Sequence, residues 1–419
     1  MDKIAIMFPG QASQYAGMGK KWYERYSEVK ECFDQASEIM KTDMGKLCFQ
    51  GPSKQLQATE NAQAAIFTVS MGMYRAFLTE EEIEPTYLAG HSLGEISALT
   101  AAGVFKFEDA LKIVKARGHG MARCSHDVKM GMYAVQNISS RQVEKAMLQF
   151  EFDQYGVQIA NYNTPYQTVL SGKLDGLKTI EKQLKESGAR VIPLNVSGPF
   201  HSTFMQPAAG ALKEALQLVK ADHMKIPVIS GKTGTFYAPE QDFGEALMDQ
   251  LVNPVRWDKV VNRLNEQGTA VWIEMGPKDV LKKFIQNSIK HPCTYAYDEE
   301  PDLEPCRLQL DRVKQMKKQM PDFIGLCMGA AVCVRNTNWD NDSYQEGVVK
   351  PYKELQVLLE TVEKEERTPI ESEMRTALQF LKKIFAVKGV SLEEQKERIC
   401  HIFEITGTKT LFAEDEMSI

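Results

Sequence analysis

Two textures alternate along the chain. Short apolar runs ending at Gly or Pro read as buried strands, and longer stretches with apolar residues three and four apart read as helices. Ile4 to Phe8 is the first strand run, stopped by Pro9-Gly10. A helix is predicted over about 20–40, with Trp22, Tyr23, Tyr26 and Val29 on one side, and a long apolar helix from Asn61 to about Phe77. Tyr87-Leu88-Ala89-Gly90 is a strand end that turns at Ser92 into a helix through Ile96, Ala98 and Leu99, broken at Gly103. The next helix opens near Phe107, with Glu108 and Asp109 where the helix dipole favours acids. It buries Ala110, Leu111, Ile113 and Val114 and carries Arg117 near its end, before Gly118.

From about Lys129 the pattern shortens. Met132–Val135 reads as a strand, followed by a helix to about Phe150 that opens with a capping box, Ser139 and Gln142. Val157–Ala160 is a strand, 161–165 a turn, Gln167–Gly172 a strand, Leu174–Gly188 a helix and Arg190–Leu194 a strand. Strand, helix, strand, strand, helix, strand is the split βαβ, ferredoxin-like order, inserted here in a larger α/β domain. Ile226–Gly231 is a further strand and turn, Gln250–Trp257 a loop into a helix, and Ala270–Pro277 the last core strand with its turn.

Composition narrows the setting. The 419 residues are 43% hydrophobic and 25% charged, with a net charge of −6, which excludes nucleic acid as the main partner. Eight cysteines form no C-x-x-C pair, so a zinc site is not expected and the thiols read as reduced. The first ten residues lack the pattern of a signal peptide, and the apolar run from Phe323 to Val334 is too short for a membrane span. The expected compartment is the cytoplasm, with no membrane partner.

Gly90-x-Ser92-x-Gly94 carries the candidate chemistry. It is the pattern of a nucleophile elbow, in which a strained turn holds a serine clear of a sheet at a helix N-terminus. The bland alternative is a plain N-cap. A serine nucleophile needs an adjacent imidazole, and His201, after a strand and the Gly198-Pro199 bend, is the natural base; His91 is expected to point elsewhere. Arg117 has two readings: a solvated residue near a helix C-terminus, or a guanidinium fork for a substrate carboxylate. For Gln63, position alone favours a solvated helix-start residue.

Taken in order, these motifs resemble the malonyl-CoA:acyl-carrier-protein transacylases and the acyltransferase domains of polyketide synthases. The resemblance runs over residues 1 to about 290. It rests on Phe8-Pro9-Gly10-Gln11-Ala12-Ser13-Gln14, Gln63, Gly90-His91-Ser92-Leu93-Gly94-Glu95, Arg117-Gly118, Ala160-Asn161-Tyr162-Asn163 and Ser171-Gly172. It continues through Gly198-Pro199-Phe200-His201-Ser202, Pro254-Val255-Arg256-Trp257 and Glu274-Met275-Gly276-Pro277. The resemblance implies an α/β-hydrolase-like large domain (residues 1–128 and 197–290), with the ferredoxin-like subdomain at 129–196. It implies Ser92 as nucleophile, His201 as base oriented by the main-chain carbonyl of Gln250, and an oxyanion hole from the N–H groups of Gln11 and Leu93. Arg117 would pair with the malonyl carboxylate, Gln63 and Asn161 would be polar supports, and Phe200 looks like the malonyl-type residue. Malonyl-CoA would be a substrate, no cofactor or metal would be bound, and an acyl carrier protein would be the partner. Two departures stand out: Ala12 replaces a common Gly, tolerable if its φ is negative, and Gly231 replaces a common Asn, removing a polar contact.

Residues 300–419 lie beyond the resemblance and read as a mostly helical extension. Helical periodicity marks 310–320, 352–359, 373–387 and 391–403, with a charged run at 363–367. The extension is either an extra packed layer or a docking surface for a carrier protein or synthase, as in a discrete, trans-acting enzyme of polyketide or hybrid peptide–polyketide synthesis. Two competing functions remain: an acyl-carrier-protein hydrolase on the same fold, for which a carboxylate clamp has no use, and a non-catalytic scaffold.

Overall fold

A parallel sheet needs strands that are apolar on both faces, because helices cover both sides. β1 (Lys3–Phe8) meets that demand and lies at the centre of such a sheet, buried from Ile4 to Phe8. The computed structural model describes residues 2–124, 129–149, 152–196, 198–319, 322–365 and 367–412. β1 is flanked by β2 (Tyr87–Gly90) and β8 (Thr269–Glu274), with β7 (Val228–Ile229) and β9 (Cys293–Ala296) outside them. All four pairings are parallel. β9 corrects the expectation that Ala270–Pro277 holds the last core strand. Its four residues were too short a run to separate from a loop by pattern.

The second sheet is antiparallel, in the order β4-β5-β3-β6, from β3 (Met130–Gln136), β4 (Val157–Thr164), β5 (Gln167–Lys173) and β6 (Arg190–Pro193). Helices Ser140–Gln149 and Leu174–Glu186 add Val143, Leu177, Ile180 and Leu184 to its core. The capping box is present: Ser139 N–H donates to Gln142 Oε1 at 2.9 Å and Gln142 N–H to Ser139 Oγ at 3.3 Å. Phe150, Ser197 and the 128 boundary lie outside the described residues.

Other boundaries move for physical reasons. The helix expected over 20–40 is two, Lys20–Arg25 and Ser27–Met40, because Tyr26 is extended at φ −120° and ψ 130°. The apolar helix is longer than expected, Thr59–Glu81. Residues 161–164 are not a turn but the end of β4. Asn161 pairs with Val169 of β5 and bridges Val255, whose carbonyl accepts the Tyr162 N–H at 2.9 Å. Gln250 sits not in a loop but in a helix, Phe243–Val252, opened by Asp242 accepting the Glu245 N–H at 2.9 Å.

By contact the chain divides into two compact units, Asp2–Leu310 and Asp311–Ile419, and the division falls inside the helix Glu300–Gln319. The second unit contains helices Phe323–Cys333, Lys350–Lys364, Glu371–Lys388 and Leu392–Thr406 around Phe323, Leu355, Leu381, Phe385 and Phe403. In the charged run, Arg367 forks onto both Glu373 oxygens at 2.7 Å, while Glu366 lies outside the described residues. Among the described residues no helix is long and apolar enough to cross a membrane.

The elbow depends on the closeness of β1 to the helix Gly94–Ala101. A Cβ on Gly94 would sit 2.0 Å from the Phe8 carbonyl oxygen, and one on Gly90 1.9 Å from the Gly94 carbonyl. Both obstacles are backbone and cannot rotate away. Gly94→Ala is therefore expected to lower stability by about 3 kcal/mol or more. Thermal unfolding of the variant checks this, and a melting temperature equal to the parent's would contradict it.

Candidate active site

Tyr87–Gly90 ends at the carboxyl edge of the parallel sheet, where α/β folds bind ligands. The chain then turns so sharply that Ser92 takes φ +56°, a left-handed conformation rarely adopted by a serine. His91 N–H donates to the Phe8 carbonyl at 3.0 Å and Gly94 N–H to the His91 carbonyl at 3.0 Å, so the turn is pinned on both sides. Ser92 Oγ lies 2.7 Å from His201 Nε2, and His201 Nδ1 lies 3.0 Å from the Gln250 carbonyl oxygen. A carbonyl can only accept, so Nδ1 carries the proton and neutral Nε2 faces the hydroxyl. His201 itself has φ +56° and is 4% exposed.

Arg117 is the second centre. Its helix, Phe107–Arg123, runs past Gly118, where a Cβ would meet Glu60 Cα at 2.9 Å, so the glycine admits close approach of the helix Thr59–Glu81. Arg117 is therefore not a solvated helix end but is 1% exposed. Nη2 donates to Ser92 Oγ at 3.0 Å and to Gln250 Oε1 at 3.3 Å; Nη1 donates to Gln63 Oε1 at 2.8 Å. The expectation of a solvated Gln63 is corrected on the same ground: it is fully buried, with Nε2 on Met121 Sδ at 3.2 Å. Burial pushes Arg117 down to about 10, opposed by the charge of Glu95. Burial, then Arg117, pushes His201 down to about 3.

Ser92, Arg117 and His201 line a cavity of about 280 Å³. Gln11, Asn161 and Phe200 line it too. Among the described residues the N–H groups of Gln11 and Leu93 donate to no acceptor within the chain. Leu93 is fully buried, at the foot of the helix Gly94–Ala101. His91 points away from Ser92, as expected, with Nε2 3.0 Å from Asn163 Oδ1 and its ring against Trp257. Ala12 departs from its expectation: its φ is +89°, in the left-handed region. Gly231 offers its N–H to Glu95 Oε1 at 3.1 Å, and a Cβ there would meet Glu95 Oε2 at 2.8 Å.

Several residues in the constellation had no assigned role in the sequence reading. Glu95, the Gln250 side chain, Asn163 and Tyr237 are among them. Glu95 carried a legible signal: it is the lone charge in an otherwise apolar and small helix, Gly94-Glu95-Ile96-Ser97-Ala98-Leu99. Tyr237 carried none, and Asn163 was legible only as part of the Ala160–Asn163 motif, without a role, since each becomes part of the site only through tertiary packing. The arrangement can do nucleophilic acyl chemistry: a hydroxyl on a neutral imidazole, spare backbone donors, and a buried cation within reach of a short acidic acyl group.

Residues 6–324 match the family model described as the acyl transferase domain. The malonyl CoA-acyl carrier protein transacylase of Bacillus subtilis strain 168 is 38% identical over 305 residues, 73% of this chain and 96% of the relative. A second Bacillus subtilis protein of that name is 31% identical over 395 residues, 94% of this chain and 99% of its own, so the match extends well past residue 310. A malonyl-transacylase solved in complex with its type II PKS acyl-carrier protein covers 74% of this chain and 100% of its own, at 30% identity and a TM-score of 0.70.

The His201 environment sets a pH dependence. The folded value near 3 lies below the value of about 6.5 for an unfolded histidine, so the unfolded chain binds the proton first. The contribution to stability is present above about 6.5 and is lost as pH falls toward 3. His201→Asn should lose less stability than the parent between pH 6.5 and 4, read by thermal unfolding across that range. Equal losses would show that His201 already takes up its proton in the folded state.

Proposed function

The chain belongs to the malonyl-CoA:acyl-carrier-protein transacylases of the acyl transferase family, and we propose that it works through Ser92 and His201 in two half-reactions. In the first, Ser92 Oγ attacks the malonyl thioester of coenzyme A while His201 Nε2 takes the hydroxyl proton. The tetrahedral adduct collapses, the carbon–sulfur bond breaks, and the proton passes from His201 to the leaving thiolate. In the second, His201 takes the proton of the carrier protein's phosphopantetheine thiol, and that sulfur attacks the malonyl-serine ester. The proton returns to Ser92 Oγ as the ester bond breaks. No cofactor is needed. The observation that carries this reading is the convergence on one cavity of Ser92 Oγ, His201 Nε2 and the Arg117 guanidinium within 3.0 Å of the hydroxyl.

Each part then has a role. The Gln250 carbonyl holds the imidazole in the tautomer that accepts at Nε2. The N–H groups of Gln11 and Leu93 form the oxyanion hole, each donor being worth about 3–4 kcal/mol to the barrier. Arg117 takes the malonyl carboxylate, and its position beside Ser92 Oγ suits a carboxylate one methylene beyond the reacting carbonyl. Gln63 fixes Nη1 of that clamp, and Asn161 and Phe200 form its surroundings. An acetyl group would leave the guanidinium unpaired, so selection follows from the cost of an unsatisfied buried charge. A hydrolase of neutral acyl chains gains nothing from this clamp, so the transferase reading is preferred.

We read residues 1–128 and 197–290 as an α/β-hydrolase-like domain whose sheet is completed by β9 beyond that boundary, and 129–196 as a ferredoxin-like insertion, supported by the strand order β4-β5-β3-β6. Residues 300–419 are proposed as a helical extension that docks a synthase or carrier protein, with the enzyme acting in trans in cytoplasmic polyketide or hybrid peptide–polyketide synthesis. The solved neighbour's type II PKS acyl-carrier protein supports a carrier protein as partner, and a relative that spans the extension supports the extension as a shared part of such enzymes.

Incubation with labelled malonyl-CoA and a phosphopantetheinylated carrier protein tests the reaction. Labelled carrier protein is expected; free malonate in its place would mean a hydrolase. Arg117→Ala should lower malonyl loading by a factor of about 100 or more while acetyl loading holds or rises. An equal fall for both acyl groups would make Arg117 structural only.

A further inference from the structure

Glu95 has no part in the reaction just described, yet it is a fully buried carboxylate beside the nucleophile. Such a group costs several kcal/mol to bury unless donors surround it. Three do. Oε1 accepts the Gly231 N–H at 3.1 Å and the Tyr237 hydroxyl, and Oε2 accepts Gln250 Nε2 at 2.6 Å. Burial raises the proton affinity of the carboxyl, and these donors and the Arg117 charge reduce that rise without cancelling it.

The Gln250 amide is the link. Its Nε2 faces two acceptors, Glu95 Oε2 and the Ser92 carbonyl oxygen at 2.8 Å. Its Oε1 is thereby turned toward Arg117 Nη2, 3.3 Å away. The guanidinium is thus held between two amide oxygens, those of Gln250 and Gln63. Were the Gln250 amide reversed, its NH₂ would oppose a donor on Arg117 and its oxygen would oppose the Ser92 carbonyl. With Gly231, Tyr237 and Gln250 all donating to it, the Glu95 carboxyl acts as an acceptor, which matches this one orientation of the amide.

We propose that Glu95 is a positioning residue for acyl selection: its carboxylate fixes the Gln250 amide, and through that amide the Arg117 guanidinium, in the orientation that takes the malonyl carboxylate. This rests on the reading of Arg117 as the carboxylate clamp. Glu95→Gln keeps shape but not acceptor character. If its oxygen keeps Gly231 and Tyr237, its NH₂ opposes the Gln250 NH₂. If Gln250 turns to relieve that, the like pairs reappear at Arg117 and Ser92.

The test compares kcat/KM for malonyl-CoA and acetyl-CoA in the parent, Arg117→Ala, Glu95→Gln and Tyr237→Phe. Tyr237→Phe removes a neighbour of Glu95 without reversing the amide. Glu95→Gln should lower the malonyl-to-acetyl ratio about tenfold, mainly through a higher KM for malonyl-CoA, and Tyr237→Phe should leave the ratio within about twofold. A Glu95→Gln ratio equal to the parent's overturns the proposal, including the case where both rates fall together. A ratio lost equally in Tyr237→Phe overturns it as well, since any disturbance of the pocket would then suffice. If the parent shows no malonyl preference, or Arg117→Ala keeps it, the clamp reading itself has failed. Should Glu95→Gln not fold, Gln250→Met decides, because it removes the amide and keeps the backbone carbonyl. A reduced ratio supports the relay and an unchanged one overturns it.

Discussion

A hydrogen bond of 2.7 Å joins Ser92 Oγ to His201 Nε2 across 109 positions of chain, and both residues take left-handed backbone conformations to make it. For Ser92 that conformation is set by the elbow, where Gly90 and Gly94 leave no room for any other residue. For His201 it is matched by the helix Phe243–Val252, which delivers the Gln250 carbonyl to Nδ1. The central sheet supplies the frame: β1 touches the helix behind the serine, and β2 ends at it. In the proposed mechanism, removing any one of these supports leaves a hydroxyl without a base or a base in the wrong tautomer.

On the proposed role of Arg117, selection is tied to activation. Burial and the nearby guanidinium hold His201 unprotonated in the resting site, so the base is ready before substrate arrives. A malonyl carboxylate beside Arg117 would offset its charge and raise the proton affinity of His201 as it takes the Ser92 proton. An acyl group without a carboxylate would leave the imidazole a weaker base. One residue can thus favour the dicarboxylic substrate in binding and in proton transfer, provided the amides of Gln63 and Gln250 hold it in place.

Much of this was legible in the amino-acid sequence because short-range chemistry dictates it. The elbow needs its glycines, the central strands their unbroken apolar runs, and the capping box at Ser139 its Gln142. What pattern missed depends on tertiary contacts. Asn161 to Thr164 look like turn residues, yet pairing with β5 and the bridge to Val255 draw them into a strand. Gln63 and Arg117 look solvated on an isolated helix and are buried only because their two helices pack closely at Gly118 and join side chain to side chain. Gln250 was reached through its backbone by family resemblance, whereas its side chain, touching Ser92, Arg117 and Glu95, becomes visible only in three dimensions. The unit Asp311–Ile419 has its own core; helices Lys350–Lys364, Glu371–Lys388 and Leu392–Thr406 fall on the expected periodicity, whereas Phe323–Cys333 was read only as an apolar run.

The most direct measurement is mass spectrometry of the Ser92 peptide after brief exposure of the protein to an equimolar mixture of acyl-CoAs. A malonyl ester on Ser92 in excess over acetyl and longer acyl adducts is the expected result. An unmodified Ser92, a malonyl group on another residue, or an adduct distribution that ignores the carboxylate would contradict the joint assignment of Ser92, His201 and Arg117.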